Sequence, residues 1–171
     1  MADLIILTLF PALVIAAGIG DFLTMKIPNW LNGLIGFSFF PVALLAGMPV
    51  EQIGWHVVAG LLVLIVAFVC FGFGFFGGGD AKMLAVAGLW LGLGQLGNFL
   101  IFMALVGGLL AIVMKFWWLV KLETDQRGIK RLKGFFKTSI DLPYGIAIAA
   151  GALFSFQHSW WVVAANSQIA G

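Results

Sequence analysis

The sequence predicts an all-α integral membrane protein, six transmembrane helices in a single domain over residues 1–171, with both termini on the periplasmic or extracellular side. Three observations predict it. Of the 171 residues, 63% are hydrophobic and only 9% charged, a composition far from that of soluble domains. The apolar residues fall into six runs of roughly membrane-crossing length. All nine Lys and Arg residues follow an odd-numbered run or lie near its end: Lys26 after the first, Lys82 after the third, and Lys115, Lys121, Arg127, Lys130, Arg131, Lys133 and Lys137 at the end of the fifth or just beyond. By the positive-inside rule those segments are cytoplasmic. One run missed or added would scramble the pattern.

The first span is residues 4–20. Its flank carries Asp3 and no Lys or Arg, the wrong charge for a secretory leader, so it is expected to remain in the protein. The polar stretch 21–29 follows, and Pro28 suits a turn or a first helical turn. The second span is 30–47 and the third 54–75, which runs into Gly77, Gly78 and Gly79. Three successive glycines are a poor helix interior, each costing roughly 1 kcal/mol against Ala. The fourth span, 81–94, is short. Even extended to residue 96 it covers about 24 Å of a typical ~30 Å core, so the glycine segment is expected to dip below the surface, buried in protein or facing water. A turn is expected at Gln95, Gly97 and Asn98. The fifth span is 99–120, the polar segment 121–141 follows, and the sixth span is 142–165. Within the polar segment, IKRLKGFFK at 129–137 reads as an amphipathic stretch on the anionic inner leaflet. The pairs Gly74/Gly78 and Gly88/Gly92 suit close helix packing. A single cysteine, Cys70, and two widely separated histidines, His56 and His158, give neither a disulfide framework nor a zinc site. No metal, other cofactor or nucleic acid is expected.

Of seven acidic residues, Asp21 and Asp80 alone end or begin long apolar helices with little other charge nearby. Two crossings separate them, so both belong to the cytoplasmic face, and they meet if the first helix packs on the third or fourth. An ionisable group at membrane depth is a functional candidate by default. Two close carboxylates cannot both ionise easily, so the pair holds one proton between them over a range of pH. That is the chemistry of a two-aspartate water-activating site, which needs no metal, nucleotide or covalent intermediate. Three other readings stay open at this point. Asp80, beside Gly79 at a helix start, also suits a cap. A small proton- or cation-coupled transporter would use two acids, though nearer the midplane and on broken or repeated helices. A non-catalytic scaffold would use Asp80 only as that cap.

The residues carry a resemblance. GGGDAK at 77–82 resembles the GxGD motif of polytopic aspartic proteases. DFLTMKIPN at 21–29 resembles the first-aspartate motif of the type IV prepilin peptidases, and LPYGIAIAAG at 142–151 their last-helix motif, in the family's order. The resemblance implies a membrane aspartic endopeptidase of the bacterial cytoplasmic membrane. It implies a site facing the cytoplasm, Asp21 and Asp80 as the catalytic pair, and pilin-like precursors as substrates cut at the leader. The larger members carry a cytoplasmic domain with paired CxxC motifs and N-methylate the new terminus. With one cysteine and no such domain before Asp21, this chain resembles the small peptidase-only branch associated with Tad/Flp pili. Members often have several basic residues between the first aspartate and Ile-Pro-Asn; here there is only Lys26.

Supporting roles follow. Gly77 and Gly79 let backbone carry Asp80 toward the first helix or let substrate approach. Lys82 contacts substrate, biases the charge of the pair, or reaches the head groups. Pro28 and Asn29 shape the turn that aims Asp21. Pro143, Tyr144 and Gly145 open the last helix, where Tyr144 is either a hydrogen-bond donor to a carboxylate or an interfacial anchor.

Overall fold

A computed structural model describes residues 2–75, 77–123 and 142–169. Among them the chain is all helical: α1 Ala2–Thr24, α2 Asn29–Leu45, α3 Val50–Gly72, α4 Gly78–Leu91, α5 Leu93–Glu123, α6 Tyr144–Phe156 and α7 Trp160–Ile169. Three helices are long and apolar enough to cross a membrane singly, over Leu4–Thr24, Val50–Gly72 and Leu93–Trp117. The α6–α7 pair, bent by 41°, makes a fourth crossing if it is one span. α2, with 17 residues, and α4, with 14, are shorter than a single straight crossing. The basic stretch 129–137, with Arg127, Lys130, Arg131, Lys133 and Lys137, lies outside the described residues.

Several boundaries depart from the sequence expectation, each for a local reason. α1 continues past residue 20 to Thr24, so Asp21 sits in its last turn and not in a loop. The helix closes at Met25, a non-glycine residue at φ 52° whose N–H bonds the Asp21 carbonyl at 2.7 Å. The chain then leaves in the extended conformation of Pro28 (φ −63°, ψ 139°), which opens α2. The expected turn at Gln95, Gly97 and Asn98 is instead at Gly92, whose φ of +69° provides the reversal. Gln95 and Asn98 are one helical turn apart at the start of α5, where their side chains bond each other at 3.0 Å. The last apolar run is two helices and not one. Ser159 closes the break between them, its hydroxyl donating to the Phe156 carbonyl at 2.6 Å.

α4 is the hub. It packs along α3 and also meets α2, α5 and α6. α5 runs along α6, and α1 packs chiefly on α6 and then α2, and not on α3 or α4, the packing that the sequence made a condition for the aspartates to meet. Of the glycine pairs, Gly88 does serve packing, against Val63 of α3, whereas Gly74 and Gly92 are turn residues with positive φ. The end of α4 remote from its glycines holds an aromatic core. Trp90 stacks on Phe10 of α1 (4.9 Å between ring centroids) and lies 4.9 Å from Trp161 of α7 and 5.8 Å from Phe39 of α2. Both buried indole N–H groups are satisfied, Trp90 by the Ile35 carbonyl at 2.7 Å and Trp161 by the Trp90 carbonyl at 2.6 Å. His56 is buried here, bonded to the Leu89 carbonyl at 2.8 Å and stacked on Phe39.

Candidate active site

The other end of α4 opens on a cleft of about 530 Å³. Its walls are the last turn of α1 with the extended link to α2 (Asp21, Thr24, Met25, Lys26, Ile27, Pro28, Asn29) and the start of α4 (Gly77, Gly78, Gly79, Asp80). The two aspartates, 59 positions apart in sequence, thus share one cavity although α1 and α4 are not principal packing partners. They are brought together through intermediaries. α6 holds Asp21, and the link before α2 braces the glycines.

Asp21 is 5% exposed, and its Oδ2 accepts the Gly145 N–H at 2.8 Å. That N–H lies in the first turn of α6, where backbone donors have no intrahelical partner and suit an anion. Glycine is required at 145, since a Cβ there would lie 2.6 Å from the Asp21 Cβ. Pro143 precedes it as the N-cap and is buried. Tyr144 places its ring near Gly107 of α5. The α6 donor to Asp21 is therefore a main-chain N–H.

Asp80 is the third residue of α4, and its Oδ2 accepts the Gly77 N–H at 3.0 Å. This is the carboxylate half of a capping box; Gly77 has no side chain to supply the other half. The capping reading of Asp80 and its place in the cleft therefore both hold. Gly78 and Gly79 form the first turn of α4, where helix entropy is least demanding, and not an irregular loop. A Cβ on Gly79 would lie 3.2 Å from the Ile27 carbonyl, so this glycine lets α4 sit directly against the link. Among the described residues each carboxylate is held by one hydrogen bond, at Oδ2. Burial, then the charge of Asp21, push the Asp80 carboxyl up to about 6, against the opposing pull of the Gly77 N–H.

Two of the remaining expected residues tie α2 to α4. Lys82 Nζ donates to Asn29 Oδ1 at 2.8 Å, so this lysine is engaged at the rim by a residue of the same motif set. Lys26 lines the cleft with its side chain exposed, and Pro28 caps α2. A residue that sequence reading missed is Asn32, 3% exposed, whose Nδ2 donates to the Gly79 carbonyl at 3.1 Å. A lone Asn three positions after Asn29 in an apolar helix carried one weak signal, an i, i+3 repeat of amides. Beside the cleft, a wholly apolar groove of about 310 Å³ runs between α1 and α6, lined by Gly18, Ile19, Phe22, Ile146 and Ala150 among others. Among the described residues no three His, Cys, Asp or Glu side chains gather as a metal-holding group.

Fold and site together define a helical membrane protein with two carboxylates converging in one open cleft. The model of the type IV leader peptidase family matches residues 8–112, more than half of the chain and the part that contains both aspartates. The chain belongs to that family, and is therefore a membrane protease. The matched region ends before Pro143, Tyr144 and Gly145. No match is found among curated proteins or among solved structures.

Proposed function

We propose that the protein is an aspartic endopeptidase that removes the leader from type IV prepilin-like precursors at the cytoplasmic face of the bacterial inner membrane, using Asp21 and Asp80. The observation that carries this reading is the shared cleft, in which two carboxylates, each oriented by one backbone N–H, face the same space. Family membership supports the leader-peptide substrate. The alternating Lys and Arg pattern supports six crossings, with α2 and α4 as the short ones, and both termini outward.

The chemistry runs as follows. The pair shares one proton, assigned in this scheme to Asp80, whose carboxyl is pushed above its ordinary range by burial and the charge of Asp21, and Asp21 is ionised. A water between them attacks the scissile carbonyl carbon and gives a proton to Asp21, while Asp80 donates its proton to the carbonyl oxygen. The tetrahedral diol then collapses. The C–N bond breaks, the leaving amine takes the proton from Asp21, and a diol hydroxyl returns its proton to Asp80. One water is consumed, and the pair regains its starting state. The precursor's apolar helix lies in the groove between α1 and α6, whose Phe22 and Ile146 are the sequence neighbours of Asp21 and Gly145. The sequence resemblance to the peptidase-only branch supports cleavage without N-methylation.

The test is processing of a pilin-like precursor in membranes holding equal amounts of wild type, Asp21→Asn or Asp80→Asn. Both variants are expected to insert normally and leave the precursor uncut. Wild-type processing by either one overturns the aspartic reading. The transporter alternative would then be examined by proton flux in vesicles.

A further inference from the structure

We infer that Asn32 is a positioning residue for Asp80, its side-chain amide clamping the first turn of α4 from α2. The inference rests on the proposed catalytic role of Asp80 and adds a residue to that site. Four observations carry it.

Asn32 Nδ2 donates to the carbonyl of Gly79, the residue immediately before Asp80, across 47 positions of sequence. The acceptor is a carbonyl oxygen, so the amide must present its nitrogen there, which fixes Oδ1 on the other side. That Oδ1 is buried with no hydrogen-bond partner among the described residues. A buried amide with half its capacity unused is destabilising relative to an apolar group of the same shape. Nor does the Gly79 carbonyl need this bond to be satisfied. It lies in the first turn of α4, where the helix ladder offers it the N–H four residues on. Stability of the fold therefore does not account for an amide at this position.

Placement of Asp80 does. The first turn of a helix is its least constrained part, and this one is built of Gly78 and Gly79, which resist unwinding least. Asp80 hangs on that turn, and the only carboxylate bond holding it among the described residues comes from Gly77 in the same segment. Beyond the packing of Ile27 on Gly79, a directional tie from outside the segment fixes how that turn stands relative to Asp21. Asn32 provides it from a buried position, and Asn29, one turn earlier on α2, provides a second, exposed tie through Lys82. A reacting group displaced by about an ångström loses on the order of 10²-fold in rate.

The experiment compares wild type, Asn32→Leu and Asn32→Gln, purified in detergent, on one precursor peptide, with Asp80→Asn run in parallel. Asn32→Leu removes donor and orphan together and keeps the number and branching of side-chain heavy atoms. It is expected to lower kcat by tenfold to a hundredfold, to change KM less than about twofold, and to unfold at the same temperature as wild type or higher. Asn32→Gln keeps an amide donor and is expected to regain part of the lost kcat. Wild-type kcat in Asn32→Leu, or a fall in its unfolding temperature, overturns the inference. If Asp80→Asn is inactive while Asn32→Leu is fully active, the clamp alone falls. If Asp80→Asn is active, the catalytic reading falls with it.

Discussion

The two ends of α4 are built on opposite principles. At one, Trp90 is fully buried among Phe10, Phe39 and Trp161, and its indole N–H is satisfied. His56 fills the space over Gly92, where a Cβ would lie 2.8 Å from the ring. At the other, three glycines and a carboxyl that resists ionising line an open cleft, and a half-satisfied Asn32 bonds one of those glycines from behind. The first end is fully buried and its indole and imidazole groups are paired, with only the Ser155 hydroxyl beside Phe156 lacking a partner among the described residues, so it stabilises the bundle. The second departs from the same rules at residue after residue. The contrast says that the aromatic end fixes where α4 stands, and that the stability it contributes tolerates a polar, incompletely satisfied opposite end, the end at which catalysis is proposed.

The largest effects should separate the two ends completely. Asp21→Asn and Asp80→Asn are expected to lower precursor processing by about 10²–10⁴-fold while leaving the purified protein folded. Trp90→Ala is expected to do the reverse. It should destabilise by about 3–5 kcal/mol, read as a lower unfolding temperature in detergent, while the fraction that remains folded keeps a near-normal kcat. A Trp90→Ala protein that is stable but inactive would erase the distinction between the ends.

A smaller effect sharpens it. The Asp80 carboxyl is held near 6, above its ordinary 3.8, so the folded chain binds a proton there more readily than the unfolded chain. Its contribution to stability is therefore fully present below 3.8 and is lost as pH rises through about 6. An amide at this position never has to ionise. Asp80→Asn should accordingly be more stable than wild type at pH 8, with the gain vanishing toward pH 4. The check is thermal unfolding of both proteins across that range. A gain that does not vary with pH would mean that Asp80 is not a reluctant anion.

How much of this was legible beforehand follows the same divide. Asp21 and Asp80 could be paired from sequence because the expected parity of spans and the sign of charge assign them to one face without any knowledge of packing, and both do line one cleft. The helical class was equally plain from apolar run lengths. What was not legible depends on contacts between distant segments. Nothing in the chain says that α1 packs on α6, so the Gly145 N–H was only a motif residue until its place over Asp21 was seen. Asn32 is one amide in an apolar helix, and its meaning lies wholly in Gly79. The turn was misplaced because Gln95, Gly97 and Asn98 look like loop residues, while Gly92 alone adopts the positive φ that reverses the chain. The break before α7 was hidden by the evenly apolar run around it, since a serine that closes its own turn leaves little trace in hydropathy.

The smallest expected effect concerns a third region, the apolar groove beside the cleft. It is lined by residues that are sequence neighbours of the Asp21–Gly145 contact yet contains no polar surface of its own, so filling it should affect how substrate is held and not how it is cut. Ala150, half-buried on α6, lines it. Ala150→Trp places a bulky ring in a space of about 310 Å³ and is expected to raise KM for a full-length precursor about three- to tenfold with kcat little changed. A short leader peptide without the apolar helix has nothing to lose in the groove, so its KM should stay at the wild-type value. If both substrates suffer alike, the groove is part of the scaffold around Asp21. If only the full-length precursor suffers, binding and chemistry are carried by adjoining but separable surfaces, just as stability and chemistry are carried by the two ends of α4.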